Sequence, residues 1–227
     1  MKLQTLLLCL CVSTTAFGQA INLDGVYVGK SDDTNTVWLF KNGYSSQILF
    51  KDQEYLSTQG GPYQFDGKTL HITLEYNDEN PQSVGTQIRL PTSSSSESLS
   101  IGGQALAKKP AQNQGLDGVW RITGRQAKDG SMGTIPRRDR KTIKILVDGY
   151  FQWIAINPAE KGFYGTGGGH YTFSDNNYTE HLLFFSRDNS RVGNTLEFKG
   201  EIKNKDWHHN GLSSKGDPIY EIWSLEP

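Results

Sequence analysis

The chain has 227 residues, a formal net charge of −1, and 35% hydrophobic, 21% charged and 11% aromatic residues. That much apolar surface can offset the entropy of folding, which excludes a disordered chain; the absence of a basic excess excludes a general nucleic-acid binder. The 25 glycines, with 10 Tyr and 10 Phe, favour short strands and turns over helices.

At the N-terminus, Lys2 precedes an apolar run from Leu6 to Val12 and the small-residue site Ala16-Phe17-Gly18. This order predicts a secretory signal peptide over residues 1–18, cleaved near Gly18 or Ala20. The run is far short of the ~20 residues a spanning helix needs, so no membrane insertion of the mature chain is expected. Cys9 and Cys11 leave with the leader. The mature product is expected to be secreted or periplasmic, without disulfide or thiolate, and held by packing alone.

Beyond the leader an internal repeat organises the sequence. Leu23-Asp24-Gly25-Val26-Tyr27 recurs 93 residues later as Leu116-Asp117-Gly118-Val119-Trp120. Asn42-Gly43-Tyr44 is answered 106 residues on by Asp148-Gly149-Tyr150, after an inserted loop around Gly130 to Lys141. Gly60-Gly61-Pro62-Tyr63 matches Gly168-Gly169-His170-Tyr171, and Val84-Gly85 matches Val192-Gly193, both at an offset of 108. The expected domains are residues 19–110 and 111–227, with a polar linker from Lys109 to Gln114.

Within the first copy, Leu70, Ile72 and Leu74 alternate with His71, Thr73 and Glu75, the period of a half-buried strand. Asn42-Gly43, Asp66-Gly67, Asp148-Gly149 and Asp175-Asn176 mark hairpin turns. No stretch carries a sustained 3.6-residue apolar period. Many short antiparallel strands with no helix to cover their edges predict an all-β fold of two tandem small antiparallel barrels, with a sandwich as the alternative.

Gly118-Val119-Trp120 resembles the Gly-x-Trp that opens lipocalins, and Gly25-Val26-Tyr27 is a weakened form of it. The run from Gly167 to Tyr171, through Tyr178-Thr179-Glu180-His181 and Trp207-His208-His209 to Glu221-Ile222-Trp223, is similar to a family of uncharacterised secreted bacterial lipocalin-like domains. The resemblance implies calycin-type barrels that bind a small molecule and have no established catalytic residues.

The two copies differ most where the first looks apolar. At an offset of 108, Ile72 becomes Glu180 and Ile101 becomes His209; at 106, Ser46 becomes Gln152, in a row taken to point inward with Ile154 and Ile156. Burying a carboxylate is costly unless it is paired, so these groups are expected to meet each other, water or a ligand. Three uses are open: an internal hydrogen-bond network, a ligand pocket, or catalysis.

The pocket reading assigns Glu180, His209, Gln152, Tyr150, Tyr178, Trp207, Glu221 and Trp223 to a small, partly apolar ligand. A second reading takes Phe151 and Trp153, expected to point outward, as a contact surface for a glycan, a protein or the other copy. A third makes the protein a hydrolase using Glu180 with His209 or Glu221. Neither a cofactor nor a metal is expected, because neighbours such as His208 and His209 face opposite sides of a strand. The run Arg137-Arg138-Asp139-Arg140-Lys141 reads as a solvated loop. The glycines from Gly165 to Gly169 read as a strand bend, because no Lys-Ser or Lys-Thr follows them.

Overall fold

The structure, a computed structural model, describes residues 22–213 and 215–226. The expected leader, with its cleavage site and both cysteines, lies outside the described residues.

Two closed antiparallel barrels of eight strands each stand in tandem. The first comprises β1 (Gly25–Ser31), β2 (Thr34–Lys41), β3 (Tyr44–Lys51), β4 (Glu54–Phe65), β5 (Thr69–Thr73), β7 (Gln87–Ser94), β8 (Ser98–Ile101) and β9 (Gln104–Lys108), with the two-residue β6 (Tyr76–Asn77) beside β4. Successive strands pair in order, and β1 closes the circuit against β9. The second comprises β10 (Gly118–Gln126), β12 (Lys141–Val147), β13 (Tyr150–Asn157), β14 (Gly162–Ser174), β15 (Asn177–Phe185), β16 (Thr195–Lys203), β17 (Asp206–Leu212) and β18 (Pro218–Leu225). There β10 closes against β18, and the inserted loop adds β11 (Met132–Thr134) to the edge of β10.

The hairpins form where the turn residues dictate. Asn42 and Gly43 between β2 and β3, and Asp148 and Gly149 between β12 and β13, all have positive φ. Such two-residue turns match the right-handed twist of the flanking strands. The long strand β14 bends because it carries glycines: a Cβ on Gly168 would lie 2.3 Å from the Phe151 carbonyl oxygen, and one on Gly169 would lie 2.0 Å from that of His181. Gly60 and Gly61 make the same approach in the first barrel. The bend expected from these glycines is present, and a bulge opposite Gly168 and Gly169 changes the facing of β15 beyond Leu182.

Three apolar clusters hold the molecule. The first barrel is filled by residues such as Trp38, Phe40, Leu70, Ile72, Leu99 and Leu106. The second is filled by Trp120, Phe151, Tyr178, Leu182, Trp207 and Trp223. The third cluster joins the barrels: Val26, Leu39, Ile48 and Phe50 pack against Val119, Ile145, Ile154 and Ile156. Here β2 meets β12, its own counterpart in the repeat, and β4 meets β15 as β6 meets β14. The barrels are therefore related by an approximate two-fold axis through a mainly apolar junction.

This junction corrects the expected facing of β13. Its more apolar row, Gln152, Ile154 and Ile156, faces the other barrel, while Phe151, Trp153 and Ala155 face the interior of their own. A strand buried on both sides has no solvent face to give the phase of its pattern. The basic loop is tied to the fold rather than free: Arg137 pairs with Glu226 and Lys141 with Glu75, the latter at 2.7 Å.

Candidate functional site

The two barrels have different interiors. In the second, a cavity of about 570 Å³ opens at one end, lined in part by Lys144, Trp153, Glu180, Phe198, His209 and Glu221. At the equivalent place in the first barrel only about 60 Å³ remains, among Gln47, Leu49, Ser57 and Gln59. There Gln59 donates to Gln47 at 2.7 Å and Asn77 to Gln59 at 3.1 Å, closing the mouth with an amide chain. The second barrel has Trp153, Gly167 and Phe185 at those three positions, and Ala155 in place of Leu49.

Deep in the second barrel the Lys144 ammonium and the Glu180 carboxylate pair at 2.7 Å, both side chains almost fully buried. Tyr178 donates to the same Glu180 oxygen at 2.9 Å. Burial and the adjacent Glu180 charge push the Tyr178 hydroxyl well above its ordinary pKa, so it stays protonated as a donor. Four rings, Phe151, Tyr178, Trp207 and Trp223, surround the ammonium with centroids 5.1 to 5.7 Å away. Their π faces and the one carboxylate replace the water the lysine has lost.

A second polar group stands beside the first. Glu221 accepts from Arg125 and from the Trp223 indole, the latter at 3.1 Å. Burial alone would raise its pKa, but His209, Arg125 and Lys144 outweigh burial and hold it at about 2. Burial pushes His209 below the ordinary histidine value, against Phe198 at 4.3 Å and Trp207 at 5.0 Å between ring centroids. The ring is therefore neutral at pH 7, and the charges that keep Glu221 ionised there are those of Arg125 and Lys144. Neither ring nitrogen of His209 has a hydrogen-bond partner; Glu221 lies 3.6 Å from Nδ1. An imidazole 2% exposed, on a cavity wall and without a partner, is a hydrogen-bonding position left open.

Of the residues singled out in the sequence, Glu180, His209, Glu221 and Trp223 line this cavity. Tyr178 and Trp207 lie behind that wall, fully buried, as parts of the cage around Lys144. Gln152 and Tyr150 do not belong to it. Gln152 is buried in the junction, bonded to Ser46, Thr58 and Thr166. Tyr150 packs at the edge of the junction with its ring against His170, 4.3 Å between centroids. Phe151 and Trp153, expected on an outer surface, are inside; they form no outward aromatic patch, and Trp153 is a wall of the cavity.

Ile143, Ile145 and Val147 make the apolar row of β12, a pattern that points Lys144 to water. That row instead faces the first barrel. The repeat offset of 106 carried the missing signal, since it aligns Lys144 with Trp38, the largest side chain in the first barrel's interior. Among the described residues, no three His, Cys, Asp or Glu side chains converge as metal ligands.

No family model matches the chain, and no curated protein does. Among solved structures, an uncharacterized protein from Bacteroides eggerthii DSM 20697 is similar at 17% identity and a TM-score of 0.34, over 48% of this chain and 98% of that one.

Proposed function

We propose that this is a secreted or periplasmic lipocalin-like binding protein that takes a small, partly apolar molecule into the C-terminal barrel, with the N-terminal barrel as its scaffold. One observation carries the reading. Two barrels of the same repeat have opposite interiors, one packed shut and the other open over about 570 Å³, within the usual size of ligand pockets. The wall mixes aromatic surface from Trp153, Phe185 and Phe198 with a few fixed polar groups, the composition that orients a small molecule.

A hydrolytic use of the same acids is less well supported. Glu221, held at about 2, cannot donate a proton at neutral pH, and Glu180 is neutralised by Lys144. Native mass spectrometry of protein purified from its own host tests the proposal. The expected spectrum contains a non-covalent small-molecule adduct that is lost in Ala155→Leu, which restores the first barrel's residue at the mouth. A bare mass, together with no shift in Trp fluorescence across a panel of apolar probes, would overturn it.

A further inference from the structure

The charges around the cavity do not balance. Its carboxylates each have a cation already: Glu180 has Lys144 at 2.7 Å, Asp188 has Arg191 at 3.2 Å, and Glu221 has Arg125. Three more cations line the mouth, Arg140, Arg187 and Lys215, and among the described residues none of them has a carboxylate within ion-pair distance.

Two of these cations are held in place rather than left to wave in solvent. The Arg140 guanidinium lies 3.7 Å from the centroid of the Tyr164 ring, and Arg187 donates from Nε to the Tyr164 carbonyl at 2.8 Å. One residue thus contacts both cations, through its ring and through its carbonyl. Arg187 also lies across Gly165, where any Cβ would sit 2.5 Å from its Nε. The first barrel has Glu79 at the position of Arg187, so the charge there is reversed between the copies, and Arg140 belongs to the loop that the second copy inserts. Cations at the mouth with no acid beside them make a positive rim suited to an anion. Below the mouth come the faces of Trp153, Phe185 and Phe198, and at the floor stands His209 with both ring nitrogens unpartnered.

We propose that the ligand is an amphipathic anion. Its acid group is held at the mouth by Arg140 and Arg187, its apolar body lies against Trp153 and Phe198, and a polar atom at its far end meets His209. This inference rests on the C-terminal barrel being a binding site, and adds the chemical class that the site selects.

Two fluorescent probes that differ by one group test it: 1-anilinonaphthalene-8-sulfonate and its neutral counterpart N-phenyl-1-naphthylamine. The full-length protein is expected to bind the sulfonate at least about tenfold more tightly, the size of a charge-assisted contact. That preference should shrink with added salt, and Trp emission should change on binding because Trp153 is in the wall. Arg140→Gln with Arg187→Gln is expected to lose about tenfold for the sulfonate and leave the neutral probe unchanged. Arg187→Glu alone, on an exposed rim, should act the same way if the double variant folds poorly. Equal affinity for the two probes, or a sulfonate affinity that survives both variants, overturns the anion proposal while leaving a binding barrel. If neither probe binds, the binding reading itself is overturned, and the anion proposal with it.

Discussion

Ser46 donates its hydroxyl to the Gln152 side-chain oxygen at 2.5 Å, and the two residues occupy the same position in the two repeats. The Gln152 amide nitrogen then donates to Thr58 and Thr166, which are likewise counterparts. This polar knot lies at the centre of an otherwise apolar junction. Gln152→Ala is expected to cost about 2 kcal/mol, because it removes three hydrogen bonds and leaves Ser46 buried without its acceptor. Ser46→Ala combined with Gln152→Leu should recover much of that loss, since Thr58 and Thr166 keep their bonds to backbone carbonyls. Urea denaturation of the three variants measures this; a double variant weaker than Gln152→Ala would show that the knot acts otherwise.

The same junction predicts how the molecule unfolds. Val26, Leu39, Ile48 and Phe50 are covered only by the second barrel, so an isolated first repeat would expose them as one patch. Calorimetry of the whole chain is expected to show a single transition, and residues 22–110 alone should associate or fail to fold. Two well-separated transitions would contradict this.

Lys144→Met should destabilise by about 3 to 5 kcal/mol, the usual consequence of stranding one member of a buried ion pair. Copying the first barrel at only two positions, Glu180→Ile with His209→Ile, strands Lys144 in the same way and should be comparably damaging. Adding Lys144→Met and Tyr178→Phe to that pair should restore stability, because the buried ion pair and the hydroxyl bonded to it are then replaced together by apolar groups. Tryptophan, the first barrel's own residue, is the wrong choice at 144: the second barrel already places Trp207 and Trp223 where the first has Leu99 and Leu106. Thermal melts of the three variants distinguish these outcomes.

The acid dependence of stability follows from His209. Its folded pKa lies below the ordinary value of 6.5, because burial disfavours the imidazolium more than Glu221 and Glu180 favour it, and Lys144 opposes it further. As pH falls below 6.5 the unfolded chain takes up a proton that the folded chain refuses, so stability falls until the folded pKa is reached. His209→Ile should remove that part of the slope. Glu221 adds a second loss at lower pH, from its ordinary 4.5 down to about 2, where the folded state is the one that resists protonation. Urea midpoints between pH 7.5 and 5 test the first step; parallel curves for wild type and His209→Ile would refute it.

The sequence carried the architecture through its repeats and turns. Asn42-Gly43 and Asp148-Gly149 are local devices that work wherever they stand, and the offset of 108 placed Glu180 and His209 inside without reference to anything distant. The strands against the other barrel were misread for one physical reason. Alternation reports the more apolar face, and in β12 and β13 that face belongs to the junction rather than to the barrel's own interior. Gln152, Phe151 and Trp153 were inverted on that account, and Lys144 was hidden by it. Of the mouth arginines only Arg140 stood out in the sequence, as part of a charged loop, because Tyr164, which contacts both Arg140 and Arg187, lies on β14, far from Arg140 in the chain.

Because β2 meets its own counterpart β12, and β4 meets β15 as β6 meets β14, the junction is complementary to itself. A surface that fits a second copy of itself can assemble two separate chains before any linker joins them. A single repeat bearing this face is expected to pair with a second copy of itself. Joined in one chain, the halves need not be alike: one interior is packed, and the other keeps a cavity with cations at its rim.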